Sequence, residues 1–161
     1  MRNHGHENVI GVGLAPWGLD PRVLQYKELF IAPATMAAAN TTPIEIVPSQ
    51  GPNTVIEYIS GFMFYQFKSS AFTGVAGGED LTIRYTDGSG ATVSTTLETT
   101  GFLDATSSQL RSFKAITTDY TPVAAAPLVL AIASGDFVTG DSPVIFKFIY
   151  RVHYTEFDAA A

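Results

Sequence analysis

Residues 144–154 read VIFKFIYRVHY, and their alternation constrains the fold of this chain more than any other feature. Val144, Phe146, Phe148, Tyr150, Val152 and Tyr154 take every second position, with Ile145, Lys147, Ile149, Arg151 and His153 between them. Successive residues of a strand point to opposite faces, whereas helical spacing would scatter the six apolar positions around the axis. The segment therefore predicts a strand with one face on a core. Its other face mixes aliphatic and basic side chains, as a surface partly buried against a neighbouring subunit would. Ile145, Lys147, Ile149, Arg151 and His153 are thus the candidate interface residues.

The same reasoning finds further strands upstream. Residues 43–48 alternate between Pro43 and Pro48, which suits a sheet edge because proline cannot donate to a ladder. Residues 54–68 are aromatic and β-branched, with Gly61 marking a bulge or bend. Strict alternation puts Ile56, Tyr58, Phe62 and Phe64 on one face of this strand and Val55, Ile59, Met63 and Tyr65 on the other, so both faces are expected to be covered. Residues 80–85 alternate and run into Asp87, Gly88, Ser89 and Gly90, a strong hairpin signal that returns through residues 91–98. Residues 102–110 read as a short helix, followed by strands over 113–116 and 128–133. Seven or eight strands with turns between them predict an all-β protein, a β-sandwich of jelly-roll type.

The first 33 residues are different. Gly and Pro punctuate them, and their one apolar-rich piece, residues 23–31, reads as an edge strand or as part of an arm; the punctuation favours an extended N-terminal arm. Residues 34–161 are then the sandwich domain, opening with one or two helical turns over the alanine-rich residues 34–40.

Composition narrows the function. The 161 residues include no cysteine, which removes disulfides, thiol nucleophiles and Cys-based zinc sites. Hydrophobic residues make up 46% and charged residues 15%, against roughly 25% charged in an average soluble domain. A chain so poor in charge presents apolar surface to partners or buries it. The formal charge is −6 and the nine Lys and Arg are dispersed, so no basic stripe awaits a nucleic acid. No run of about 18 apolar residues exists to span a membrane.

Each candidate chemical site has a plainer explanation. His4 and His6, with Glu7, form an alternating pair in a Gly/Asn-rich terminus and read as a solvated tail rather than a metal site. Gly11 and Gly13 do not make a dinucleotide fingerprint, because Pro16 stands where the third glycine belongs. Glu79 and Asp80 read as a solvated turn, since neighbours on a strand diverge. Asp136, Asp141 and Ser142 lack the spacing of an EF-hand and read as turn residues. His153 has no carboxylate beside it in sequence, so packing or an interface explains it better than catalysis. The expectation is a non-enzymatic protein with no metal and no cofactor.

A resemblance gives this expectation a context. Residues 43–56, PIEIVPSQGPNTVI, look like the opening strand and turn of small tailed-bacteriophage virion proteins. Residues 81–85, LTIRY, are similar to a second strand of that group. Residues 128–143, LVLAIASGDFVTGDSP, followed by the run ending Tyr150, Arg151 and Val152, resemble its closing strand-turn-strand. The resemblance spans residues 34–154 and implies a capsid decoration, or cement, protein. Such a protein sits on the outside of the shell, binds the major capsid protein and is commonly a homotrimer. The alternative is a trimeric fibre, tail or adhesion module that grips a host-surface glycan; it calls for exposed aromatics at loop tips, where this chain has only Phe72 and Tyr120.

Overall fold

The structure, a computed structural model, describes residues 14–15, 18–19, 24–75 and 78–155. It is all-β, built from two antiparallel sheets and a two-strand ribbon. In chain order the elements are β1 (Leu14–Ala15), β2 (Gly18–Leu19), β3 (Gln25–Ile31), α1 (Pro33–Ala37), β4 (Ile44–Val47), β5 (Thr54–Tyr65), β6 (Leu81–Tyr85), β7 (Gln109–Lys114), β8 (Leu128–Ile132) and β9 (Val144–Tyr154). The larger sheet has the order β3-β9-β5-β7 and the smaller β4-β8-β6, while β1 pairs with β2.

The pairing has a simple logic. The chain is doubled back on itself about the turn at residues 86–90. On either side of that turn β6 meets residues 92–97 through the bridges Arg84↔Thr92 and Leu81↔Leu97, β5 meets β7, β4 meets β8, and β3 meets β9. The pairings β5 with β9 and β6 with β8 then roll this long ladder into two sheets. At the turn itself only glycine fits position 90, because a Cβ there would lie 1.7 Å from the Tyr85 carbonyl oxygen. The returning residues 91–98 form isolated bridges rather than a continuous strand. They lean on both sheets, with Val93 N–H donating to Ile83 and Thr95 N–H to Lys114.

One core lies between the sheets. Phe146, Phe148, Tyr150 and Val152 of β9 face Ile46 and Val47 of β4, Ile83 and Tyr85 of β6 and Leu130 of β8 in a single buried cluster. Phe146 and Phe148 stack at 4.7 Å between ring centroids, and Phe113 meets Phe146 at 5.6 Å. Two polar contacts cross from sheet to sheet. The buried Tyr85 hydroxyl donates to the Ile56 carbonyl at 2.5 Å, and Lys27 Nζ donates to the Ile46 carbonyl at 2.7 Å.

Several expectations need correcting. Residues 25–31, read as part of an arm, form an edge strand in register with β9 from Gln25↔Tyr150 to Ile31↔Val144. The glycines and prolines that argued for an arm lie before this strand; within it Gln25, Leu29 and Ile31 turn inward while Tyr26, Glu28 and Phe30 turn out. Residues 102–110 are no helix: a single turn closes where Phe102 and Leu103 N–H both donate to the Thr99 carbonyl, and Gln109 and Leu110 already belong to β7. The bulge of β5 falls at Ile59, where the register shifts between Tyr58 and Ser60. That extra residue reverses the alternation. Ile56 and Tyr58 before it and Met63 and Tyr65 after it are buried, so Phe62 and Phe64 point outward, and among the described residues β5 is covered on one face only. Gly61 has a different task, since its missing Cβ would sit 2.6 Å from the Lys147 carbonyl oxygen and 2.7 Å from Phe148 Cβ.

Candidate interaction face

The outward face of the β3-β9-β5-β7 sheet is the site that the register builds. Across one row run Phe30, Ile145, Phe64 and Leu110, one residue from each strand. The next row holds Glu28, Lys147, Phe62 and Ser112, and the third Tyr26, Ile149, Ser60 and Lys114. Farther along, Arg151 lies opposite Glu57 and His153 opposite Val55. Phe30, Tyr26 and Leu110 are 62%, 61% and 61% exposed, so nothing in this chain covers the ends of these rows among the described residues.

All five residues named from the alternation of β9 lie on this face. Ile145, Lys147, Ile149 and Arg151 are half-buried and His153 is exposed. Sequence reasoning missed their companions Tyr26, Phe30, Phe62 and Leu110. The first two were assigned to an arm, Phe62 to a buried face, and Leu110 to a helix.

Most charges on the face are paired. Lys147 Nζ lies 3.0 Å from Glu28 Oε2, a contact that raises the lysine pKa above its ordinary value. His153 Nε2 lies 2.8 Å from Glu57 Oε2, with Arg151 Nη1 3.8 Å from the same oxygen. His153 thus does have a carboxylate partner, brought from 96 positions away by strand register. No local signal in the sequence points to it. With Val55, Tyr120, Pro122 and Thr155 this pair borders an open depression. A second hollow opens over Ser60 and the Gly61 backbone, walled by Tyr26, Phe62, Lys147 and Ile149.

The loop carboxylates are engaged as fasteners. Asp136 accepts from the backbone N–H groups of Asn40 and Thr41, both at 3.0 Å, and from the Thr41 hydroxyl. Asp141 accepts from Ser69 N–H, the Ser69 hydroxyl and Ser70 N–H at 3.2, 2.5 and 2.8 Å, and these bonds hold its pKa down at about 2. Asp80 accepts from Thr99 N–H at 3.3 Å. Among the described residues no group of three or more His, Asp or Glu is gathered for a metal ion, and no helix is long and apolar enough to cross a membrane. His4, His6, Glu7, Gly11 and Gly13 lie outside the described residues.

No protein-family model matches the chain, no curated protein does, and no solved structure does.

Four strands about 4.8 Å apart over the four residue steps from Ile145 to Ile149, with β5 and β9 alone over the four further steps to His153, span roughly 400 Å². Contiguous apolar surface on a monomer rarely exceeds a few hundred Å² unless it meets a partner. The row led by Phe30 is apolar throughout.

Proposed function

We propose that this chain is a structural protein of a tailed-bacteriophage virion, a capsid decoration protein. It sits on the outside of the shell as a homotrimer and stabilises contacts between major capsid protein subunits. It acts by burying surface, without catalysis, metal or cofactor, and contacts neither nucleic acid nor membrane. The observation that carries the reading is the apolar band of Phe30, Ile145, Phe64 and Leu110 across a complete sheet, exposed at its two ends and half-buried in its middle. A side chain that is 62% exposed on a regular strand contributes little to folding; it gains its burial on association.

The winding supports the same reading. A ladder doubled about one turn and rolled into two antiparallel sheets is the construction of a jelly-roll β-sandwich, an architecture shared by viral capsid proteins, lectins and cupins. Fold alone does not choose among these. The resemblance of residues 43–56, 81–85 and 128–143 to phage virion proteins favours the capsid. The face on its own is smaller than the roughly 800 Å² per partner of a standard interface, so further contacts must add to it.

Reconstitution tests the proposal. Purified protein is titrated onto shells that lack it, with bound copies and shell melting temperature as readouts. Saturable binding at hundreds of sites and a higher shell melting temperature are expected. No binding to shells, combined with binding to host-cell glycan, would overturn the proposal in favour of an adhesion module.

A further inference from the structure

We propose that the outer face of the β3-β9-β5-β7 sheet receives the 133–143 connection of a second copy of this chain, with Val138 entering the hollow at Ser60 and Gly61. The inference deepens the assembly reading above and rests on it only in taking the chain as a subunit that associates.

Charge is the first argument. The face carries Glu28 and Glu57 against Lys114, Lys147 and Arg151, one net positive charge on a chain whose formal charge is −6. Most of the molecule would therefore repel a second copy, and this face would not. The 133–143 connection has the opposite character, with Asp136 and Asp141 and no cation. Hydrogen bonds from residues 40–41 and 69–70 hold both carboxyls below the usual range, so the loop remains negative well into acid. Complementary potentials of this kind choose partners and register more than they add affinity.

Shape is the second argument. Val138 is 75% exposed, the highest value of any large hydrophobic residue among those described. It stands on a fixed base: its N–H donates to the Thr73 carbonyl at 3.0 Å, and the Phe137 N–H donates to Ala37 at 3.0 Å. The Phe137 ring is buried against Phe72, with centroids 5.4 Å apart. Asp136 and Asp141 fasten the two flanks of the connection to other loops. An apolar side chain presented this way loses little entropy on docking. The receiving hollow is apolar, opened on the outward side by the smallness of Ser60 and walled by Tyr26, Phe62, Ile149 and Lys147, with Gly61 contributing backbone only. Val138 does not line it, so the knob and the hollow are separate patches of one molecule. Their union is a head-to-tail contact, which closes into a ring when the rotation between copies allows. The homotrimer of the proposed function is such a ring.

Because the chain contains no cysteine, cross-linking gives a clean test. Val138→Cys and Ser60→Cys are made separately and together, and each melting temperature is compared with wild type to establish folding. Under mild oxidation the double variant is expected to give a covalent ladder ending at one closed size. The two single variants mixed should link to each other much faster than either links to itself. Ser60→Cys linking to itself as fast as in the mixture would overturn the proposal in favour of a face-to-face contact. Linking no faster than an Asp87→Cys control, at the turn tip, would overturn any self-contact here. Val138→Asp provides an independent readout: by light scattering it should be a folded monomer where the wild type is a multimer, and a multimeric Val138→Asp would refute the contact. A wild-type monomer that nevertheless binds shells would overturn this inference while leaving the capsid assignment standing.

Discussion

Replacing Gly61 with alanine puts a methyl carbon 2.6 Å from the Lys147 carbonyl oxygen, 2.7 Å from Phe148 Cβ and 3.0 Å from the Phe146 ring. Carbon–oxygen contacts settle near 3.3–3.6 Å, so β5 and β9 would have to separate by about 0.7 Å. Two of the three opposing atoms belong to the backbone or Cβ of β9, which lies between β3 and β5 in the sheet order and cannot swing aside. Overpacking of this kind costs about 1–3 kcal/mol, and the lack of a flexible neighbour argues for the upper half of that range. The gain from replacing glycine within a strand, about 0.5–1 kcal/mol, offsets only part of it. At about 2–4 °C per kcal/mol for a domain of this size, Gly61→Ala should melt about 2–10 °C below wild type by circular dichroism. The neighbouring Ser60→Ala, on the outward face, should lie within about 0.5 kcal/mol of wild type. A Gly61→Ala protein that melts within a degree of wild type would refute the close approach of β5 and β9.

Other outcomes follow from the same contacts. Tyr85→Phe removes the donor to the buried Ile56 carbonyl and should cost about 1–2 kcal/mol in denaturant unfolding, with the m-value unchanged. Asp141 is held at about 2, below its ordinary 3.8, so its contribution is present above pH 4 and fades as pH falls from about 4 toward 2; Asp141→Asn should flatten that acid limb in melts between pH 2 and 5. A chelator should leave the melting temperature unchanged, because Asp136 and Asp141 already accept hydrogen bonds from neighbouring loops; a fall restored by one particular ion would refute this.

The strand β9 was legible because its alternation is uninterrupted over 11 residues, and each of its apolar positions up to Val152 is buried as the period of two requires. The turn at residues 87–90 and the edge strand β4 were legible for local reasons too, namely glycine and proline chemistry. What escaped was set by distant parts of the chain. In β5 the glycine marked a close approach and the bulge fell two residues earlier, so the phase of alternation changed with no compositional sign. Phe62 and Phe64 were therefore assigned to the wrong side. In β3 the punctuation before the strand outweighed its own alternation, which becomes meaningful only once β9 is available as a partner. Glu57 beside His153 required the register of two strands 96 positions apart. The candidate face was thus half visible: β9 and β5 were read as strands from the sequence, while the outward phase of β5 after its bulge, the strand β3 and the start of β7 were not.

The most direct measurement of the account is the number of copies of this chain in purified, intact virions, by quantitative mass spectrometry against the major capsid protein. A capsid decoration protein should be present at hundreds of copies, in a fixed simple ratio to the shell subunit. A handful of copies per particle would contradict a role on the capsid lattice and indicate a tail or fibre position, and absence from washed virions would contradict a structural role in the particle.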